Sequence, residues 1–169
     1  RQRPRIYRRP ATRRIDRLAG AGAAVLATAA LAGVCTYAFP YVNFEWDAYM
    51  LWGHKARVVS TDPMRQADYF HNLHYAMLHL NYPLQAPFLM ASVNGVAGDL
   101  KEILPKLVFP LSYVAYGLLL FAGIRTQVKG RPAVLLVLLG FTPAAVLRWA
   151  GSGYVDVVLA MFHTGTVAA

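Results

Sequence analysis

The sequence predicts an all-α membrane protein: three helices cross the bilayer completely, a fourth begins, and interfacial helices lie in a long outer loop. Of the 169 residues, 57% are hydrophobic and only 15% are charged, with a mean hydropathy of +0.37. Soluble domains carry about a quarter charged residues. The apolar residues also fall into long uncharged runs. These two observations exclude an ordinary soluble enzyme and a disordered chain.

The first predicted element is a basic tail over residues 1–17, followed by a span over residues 18–39. Eight of the 17 basic residues lie in this tail, and the 27 residues between Arg17 and Glu45 carry no charge. About 20 apolar residues suffice to cross the hydrocarbon core of a bilayer. A secretory signal peptide is the alternative interpretation. Because the run is longer than a typical signal core and further apolar runs follow, we expect a retained span.

Residues 40–104 form the predicted outer loop, which contains two helical segments. Apolar residues recur at helical spacing over residues 68–80, where Asp68 is a candidate cap, and residues 83–96 are mostly apolar and open with prolines. Both segments are too short to span a bilayer. We therefore expect amphipathic helices that lie in the outer membrane interface.

Two further spans and the start of a fourth complete the predicted region of residues 18–169. The second span covers residues 106–124, the third residues 132–148, and the fourth residues 154–169. The middle runs are slightly short, but the basic residues that flank them can extend toward the lipid headgroups.

Charge asymmetry predicts the orientation of these spans. The tail carries eight arginines and residues 125–131 carry three basic residues, whereas the outer loop carries four in 65 positions. Basic residues accumulate on the cytoplasmic side of membrane proteins. The pattern predicts a multi-pass membrane protein with a cytoplasmic N-terminus. The tail is expected to face anionic membrane lipid, and nucleic acid is not an expected partner.

Three acidic residues near the predicted outer surface are the candidate catalytic groups. Glu45 and Asp47 follow the first span, and Asp156 opens the fourth run. A carboxylate at membrane depth usually faces a partner or a polar cavity, and Arg148 is the expected partner of Asp156. Helix capping is the alternative role for both aspartates, with Asp47 capping a helix that starts at Ala48.

Three basic residues are expected at the same depth, namely Lys55, Arg57 and Arg148. His71 and His74 share one helical face and could bind a divalent metal. Interfacial or hydrogen-bonding histidines are the alternative. No cofactor follows from the sequence, and the metal requirement stays open.

The order of these features resembles the bacterial GT-C glycosyltransferases, relatives of the dolichyl-phosphate-mannose protein mannosyltransferases. Three segments carry the resemblance: residues 44–56 (FEWDAYMLWGHKA), residues 82–87 (YPLQAP) and residues 153–160 (GYVDVVLA). Together they cover most of residues 35–165. The resemblance implies a cell-envelope enzyme of the plasma (inner) membrane that transfers a sugar from a polyprenyl-phosphate donor to an acceptor on the outer membrane face. It also makes Lys55, Arg57 and Arg148 the candidate residues for binding the donor phosphate.

In that family an outer-loop aspartate is the catalytic base, and Asp47 has the matching position. Many members have Asp-Glu there, whereas this chain has Asp-Ala, so the second acid would be Glu45 or Asp156. The family also has more spans, which implies that this chain is an N-terminal part and that the remainder of the polypeptide is missing. Two alternatives stay open: a transporter or flippase fragment in which Asp156 and Arg148 line a path, and a non-catalytic membrane subunit.

Overall fold

The structure, a computed structural model, describes residues 10–39, 45–61, 68–97 and 103–168, and all secondary structure in these ranges is helical. A π-helical segment, Asp47–Gly53, runs directly into the second α-helix, and 3₁₀ helices occupy Leu73–Leu78 and Leu104–Leu107. The α-helices are α1 (Pro10–Ala38), α2 (His54–Val59), α3 (Gln85–Ala97), α4 (Val108–Gln127), α5 (Arg131–Phe141), α6 (Ala144–Ser152) and α7 (Asp156–Ala168). The helical class predicted from the sequence is confirmed.

Within the described ranges, two helical segments are long and apolar enough to cross a membrane, Arg17–Ala38 and Leu104–Gln127. The predicted third span is not one straight helix, because α5 and α6 form a pair bent by 54°. The 13 residues of α7 rise about 20 Å, less than the hydrocarbon core of about 30 Å. The prediction of three full spans and a fourth is therefore not confirmed beyond two spans, or three if the bent pair crosses as one.

The bend between α5 and α6 follows from Pro143, which has extended backbone (ψ 138°) and cannot donate a backbone hydrogen bond. Carbonyl groups at the end of α5 lose helical partners there. The hydroxyl groups of two tyrosines on α4 replace them: Tyr113 donates to the carbonyl of Phe141 at 2.9 Å, and Tyr116 to that of Gly140 at 3.1 Å. Because an unpaired carbonyl in apolar surroundings is costly, α4 stabilises the bend.

Close contacts show the directions of the helices. A Cβ atom at Gly165 of α7 would lie 3.4 Å from the side chain of Leu119, and one at Gly123 of α4 would lie 3.5 Å from that of Ala168. Residue numbers therefore increase together along α4 and α7, which run parallel. The hydrogen bonds from α4 to the end of α5 show that these two helices are antiparallel.

One end of the bundle collects the ends of α1 and α6 and the starts of α4 and α7, and we call it the site end. The ammonium of Lys106 donates to the carbonyl of Ala38 at 3.1 Å, and a Cβ atom at Gly151 would lie 2.9 Å from the ring of Tyr37. The connection from α4 to α5, which contains the exposed Lys129, lies at the opposite end. A core of buried residues joins α1, α4, α6 and α7: Val34, Phe109, Tyr113, Ala150, Val157 and Val158.

Helices lie in both predicted segments of the outer loop, but the predicted helix over residues 68–80 is interrupted at Asn72. Residues 68–71 form one helical turn, and α3 coincides with the predicted segment of residues 83–96. Asn72 caps the 3₁₀ helix that follows, accepting the backbone N–H of His74 at 3.0 Å, so Asp68 is not its cap. α3 packs on α2 and on Leu104–Leu107. Large apolar side chains of this region are exposed: Leu73, Met77, Phe88 and Val96.

Candidate functional site

An ion pair between Glu45 and Arg148 joins the chain after α1 to the middle of α6. Nη2 of Arg148 lies 2.9 Å from Oε1 of Glu45. The Arg148 side chain is 66% exposed and that of Glu45 is 26% exposed, so the pair faces outward from the bundle. Two residues that are 103 positions apart in the sequence thus meet at the site end.

Tyr154 and Asp47 complete this cluster, which we call the acid–arginine cluster (Glu45, Asp47, Arg148 and Tyr154). Burial raises the pKa of Tyr154, and the negative charges of Glu45 and Asp47 raise it further. Tyr154 also shares a hydrogen bond with Glu45. Because its phenol stays protonated at neutral pH, Tyr154 is the donor to the carboxylate. Asp47 is close enough for its charge to reach the same hydroxyl.

Asp47 does not cap a helix that starts at Ala48, because the π-helical segment begins at Asp47 itself. Trp46 has the cap position and makes no side-chain capping hydrogen bond. Asp47 lies in the first turn, where a negative charge interacts favourably with the free N–H groups of a helix start. The capping interpretation is wrong, and the catalytic role of Asp47 stays a prediction.

Asp156 lies in the first turn of α7 as an exposed acid. The expected pair between Asp156 and Arg148 is wrong, since the acid partner of Arg148 is Glu45. The cause is local. Gly153 ends α6 with a positive φ of 86° and turns the chain before α7 begins, so Asp156 starts a separate helix. Of the two candidates for the second acid, the structure brings Glu45 to the cluster.

Lys55, a candidate phosphate-binding residue, does not belong to the acid–arginine cluster. Its side chain is 0% exposed, and its ammonium donates to the carbonyl of His79 at 2.5 Å. The rings of Trp52 and Tyr82 lie 5.7 and 5.5 Å from the ammonium, within cation–π range. Burial lowers the pKa of Lys55. We call this arrangement the lysine cage (Lys55, Trp52, His79 and Tyr82); it binds the amine to the loop and screens it from solvent.

Arg57, the third candidate, is exposed on α2. Burial lowers the pKa of His54, and the positive charge of Arg57 lowers it further. The ring of His54 also packs against that of Tyr69, with centroids 5.2 Å apart. Of the three basic candidates, Arg148 is the one that forms an ion pair with a candidate acid, Glu45.

The surroundings of His71 and His74 do not supply enough ligands for a metal site in the described part of the chain. Among the described residues, no group of three or more histidine, cysteine, aspartate or glutamate side chains is arranged to hold a metal ion. His71 and His74 line an open surface pocket together with Asp68, Asn72 and Leu73.

Sequence reasoning missed two features of the site region. Tyr154 lies two positions before Asp156, inside a segment that the family resemblance already marked, and its proximity to acids was the available signal. The sequence signal for the lysine cage was weaker. Lys55 is followed by Ala56 and lies three positions after Trp52, and both of these are apolar.

Comparisons with known proteins do not assign this chain to a family. No protein-family model, curated protein or solved structure matches this chain. The functional argument therefore depends on the motifs of the sequence and on the acid–arginine cluster.

Proposed function

We propose that this chain is the N-terminal part of a GT-C-like membrane glycosyltransferase that moves a sugar from a polyprenyl-phosphate donor to an acceptor on the outer face of the plasma membrane. The observation that supports it best is the acid–arginine cluster, in which Glu45 pairs with Arg148 and the charges of Glu45 and Asp47 both act on Tyr154.

The cluster contains the groups that this reaction needs. The acceptor hydroxyl loses its proton to a base, its oxygen bonds to the anomeric carbon, and the bond from that carbon to the phosphate oxygen breaks. Asp47 serves as the base, which must come within about 3 Å of the proton that it removes. Arg148 binds the phosphate and stabilises the charge that develops as it leaves. Glu45 pairs with Arg148 before the donor binds and so keeps α6 beside the start of the π-helical segment.

The two span-length helices support a membrane location. The positive-inside rule then places the connection from α4 to α5 in the cytoplasm and the site end outside. Lipid phosphates lie at headgroup depth, where the ends of spanning helices also lie. The exposed apolar side chains of the outer loop, among them Leu73 and Val96, contact the outer interface in this arrangement.

The positions of the acids favour transfer over transport. Acids that line a transport path lie between spans at mid-depth. Glu45, Asp47 and Asp156 instead lie at or before helix starts. A non-catalytic membrane subunit is the second candidate, and the following experiment separates it from the enzyme.

The test is sugar transfer by the full polypeptide, reconstituted with a radiolabelled polyprenyl-phosphate sugar and a membrane-extract acceptor. We expect Asp47→Asn to lower turnover by about 10²- to 10⁴-fold, the usual contribution of a general base. Asp68→Asn, an exposed loop acid, is the matched control and keeps full activity. Unchanged transfer in Asp47→Asn, with normal yield and thermal midpoint, would contradict the catalytic assignment.

A further inference from the structure

We propose that the Glu45 carboxylate occupies the anion site of Arg148 until a ligand phosphate displaces it. This inference rests on the proposed function, because it concerns how the same site admits its donor. Glu45 would then act as an internal competitor that sets the affinity of the site for phosphate.

The geometry of the pair leaves the guanidinium open to a second anion. A single contact joins the two groups, from Nη2 of Arg148 to Oε1 of Glu45 at 2.9 Å. A guanidinium has five N–H donors in a planar fork that fits carboxylate and phosphate equally well. With 66% of its side chain exposed, Arg148 has both the donors and the access for a phosphate. Exposed pairs of this kind are weak, so an incoming anion can replace the carboxylate.

The local charge makes this competition matter. Glu45 places a negative charge 2.9 Å from the guanidinium of Arg148, and Glu45 and Asp47 both act on the Tyr154 hydroxyl. A phosphate on Arg148 therefore faces like charges. Glu45 opposes phosphate binding in two ways: it occupies a hydrogen-bond donor of the Arg148 guanidinium, and its negative charge repels the phosphate.

The variant that isolates this effect is Glu45→Gln, which keeps the size of the side chain and an oxygen that can accept from Tyr154, and removes the charge. Loss of one like charge at contact distance near a protein surface changes an equilibrium by roughly five- to tenfold at low salt. We expect Glu45→Gln to bind phosphate tighter by about that factor, and Arg148→Gln to bind it more weakly by at least as much. The gain in Glu45→Gln shrinks as salt is added.

The experiment places the full polypeptide in phosphatidylcholine nanodiscs and titrates it with a polyprenyl phosphate, and separately with inorganic phosphate in solution. Tryptophan fluorescence reports binding, because Trp46 and Trp149 are sequence neighbours of Glu45 and Arg148 and are 61% and 40% exposed. Asp68→Asn is the control for net charge. Tightening of both ligands in Glu45→Gln identifies a site for the phosphate group itself, and tightening of the polyprenyl phosphate alone identifies a lipid-linked phosphate.

Three results would overturn the proposal. The first is a Glu45→Gln affinity equal to or below that of the wild type, in protein with an unchanged thermal midpoint. The second is equal tightening in Asp68→Asn, which would be a general charge effect. The third is tightening toward phosphatidylglycerol nanodiscs of the same size, which would identify bulk anionic lipid. If Arg148→Gln loses binding and Glu45→Gln gains none, the competitor role alone fails. If the wild type binds no polyprenyl phosphate at low salt, the proposed function fails as well.

Discussion

Lys55 and Arg148 are both basic candidates for the same phosphate, and the structure gives them opposite surroundings. Lys55 is 0% exposed, and its described partners are a backbone carbonyl and two aromatic rings. The side chain of Arg148 is 66% exposed and pairs with a carboxylate. A buried amine whose contacts all come from its own loop fastens that loop. An exposed guanidinium on one exchangeable partner can bind a ligand. Burial and partner, rather than residue type, separate the two roles.

The largest expected effect comes from Lys55→Ala, which leaves the His79 carbonyl without its donor and a cavity between two rings. We expect a loss of about 3 kcal/mol in the free energy of unfolding, typical of a buried truncation that also orphans a polar group. Arg148→Ala should leave the thermal midpoint close to that of the wild type, because its ion pair is exposed. Thermal unfolding in detergent measures both variants. Similar thermal midpoints for the two variants would contradict the distinction between Lys55 as a structural residue and Arg148 as a ligand-binding residue.

Gly151→Ala tests how α6 brings Arg148 to Glu45. An added Cβ would lie 2.9 Å from the ring of Tyr37 and 3.3 Å from the carbonyl oxygen of Val34. Overpacking of this kind costs about 1–3 kcal/mol, and α6 must move away from α1. We expect a lower thermal midpoint and slower crosslinking between cysteines introduced at positions 45 and 148.

Gly33→Ala is the matched control for this variant, because nothing lies within 4 Å of the added Cβ. It should crosslink at the wild-type rate and gain slightly in stability from the better helix propensity of alanine. Equal behaviour of the two alanine variants would show that the contact between α1 and α6 does not position Arg148.

Tyr113→Phe tests the bend between α5 and α6, on which the position of Arg148 depends. The variant keeps the ring, which stacks on Phe141 with centroids 4.0 Å apart, and removes the donor to the Phe141 carbonyl. We expect a loss of about 1 kcal/mol in the free energy of unfolding, the usual net value of such a hydrogen bond. Tyr116→Phe provides the comparison at the neighbouring carbonyl. No change in either variant would mean that Pro143 alone sets the bend.

The smallest effect concerns His54, one residue before Lys55. Because burial and Arg57 lower the pKa of His54 from 6.5, the unfolded chain binds this proton more readily than the folded one. Stability therefore falls as the pH drops below about 6.5 toward the lower pKa of the folded state. NMR titration of the His54 ring should show the low pKa, and Arg57→Gln should raise it. The opposite shift would contradict this account of the region beside the cage.

Local patterns in the sequence were enough for the helical class, the first two spans and the helices of the outer loop. The length of an uncharged run and the spacing of apolar residues act within one or two helical turns, so they can be found along the chain. The candidate acids were found in the same way, since Glu45 and Asp47 directly follow a span. Pro143 is a local signal for a bend, but the sequence around it does not indicate in which direction the chain continues.

The tertiary structure decided which of these groups meet. Arg148 pairs with Glu45 across 103 positions, rather than with Asp156 nearby, because the bend after α5 turns α6 against α1 and Gly153 sends α7 away. Lys55 binds the carbonyl of His79 because the chain at His79, with a positive φ of 49°, returns over α2. Neither result can be found from spacing along the chain, since each depends on the direction that a helix or loop takes after a break and on the surface that it then meets.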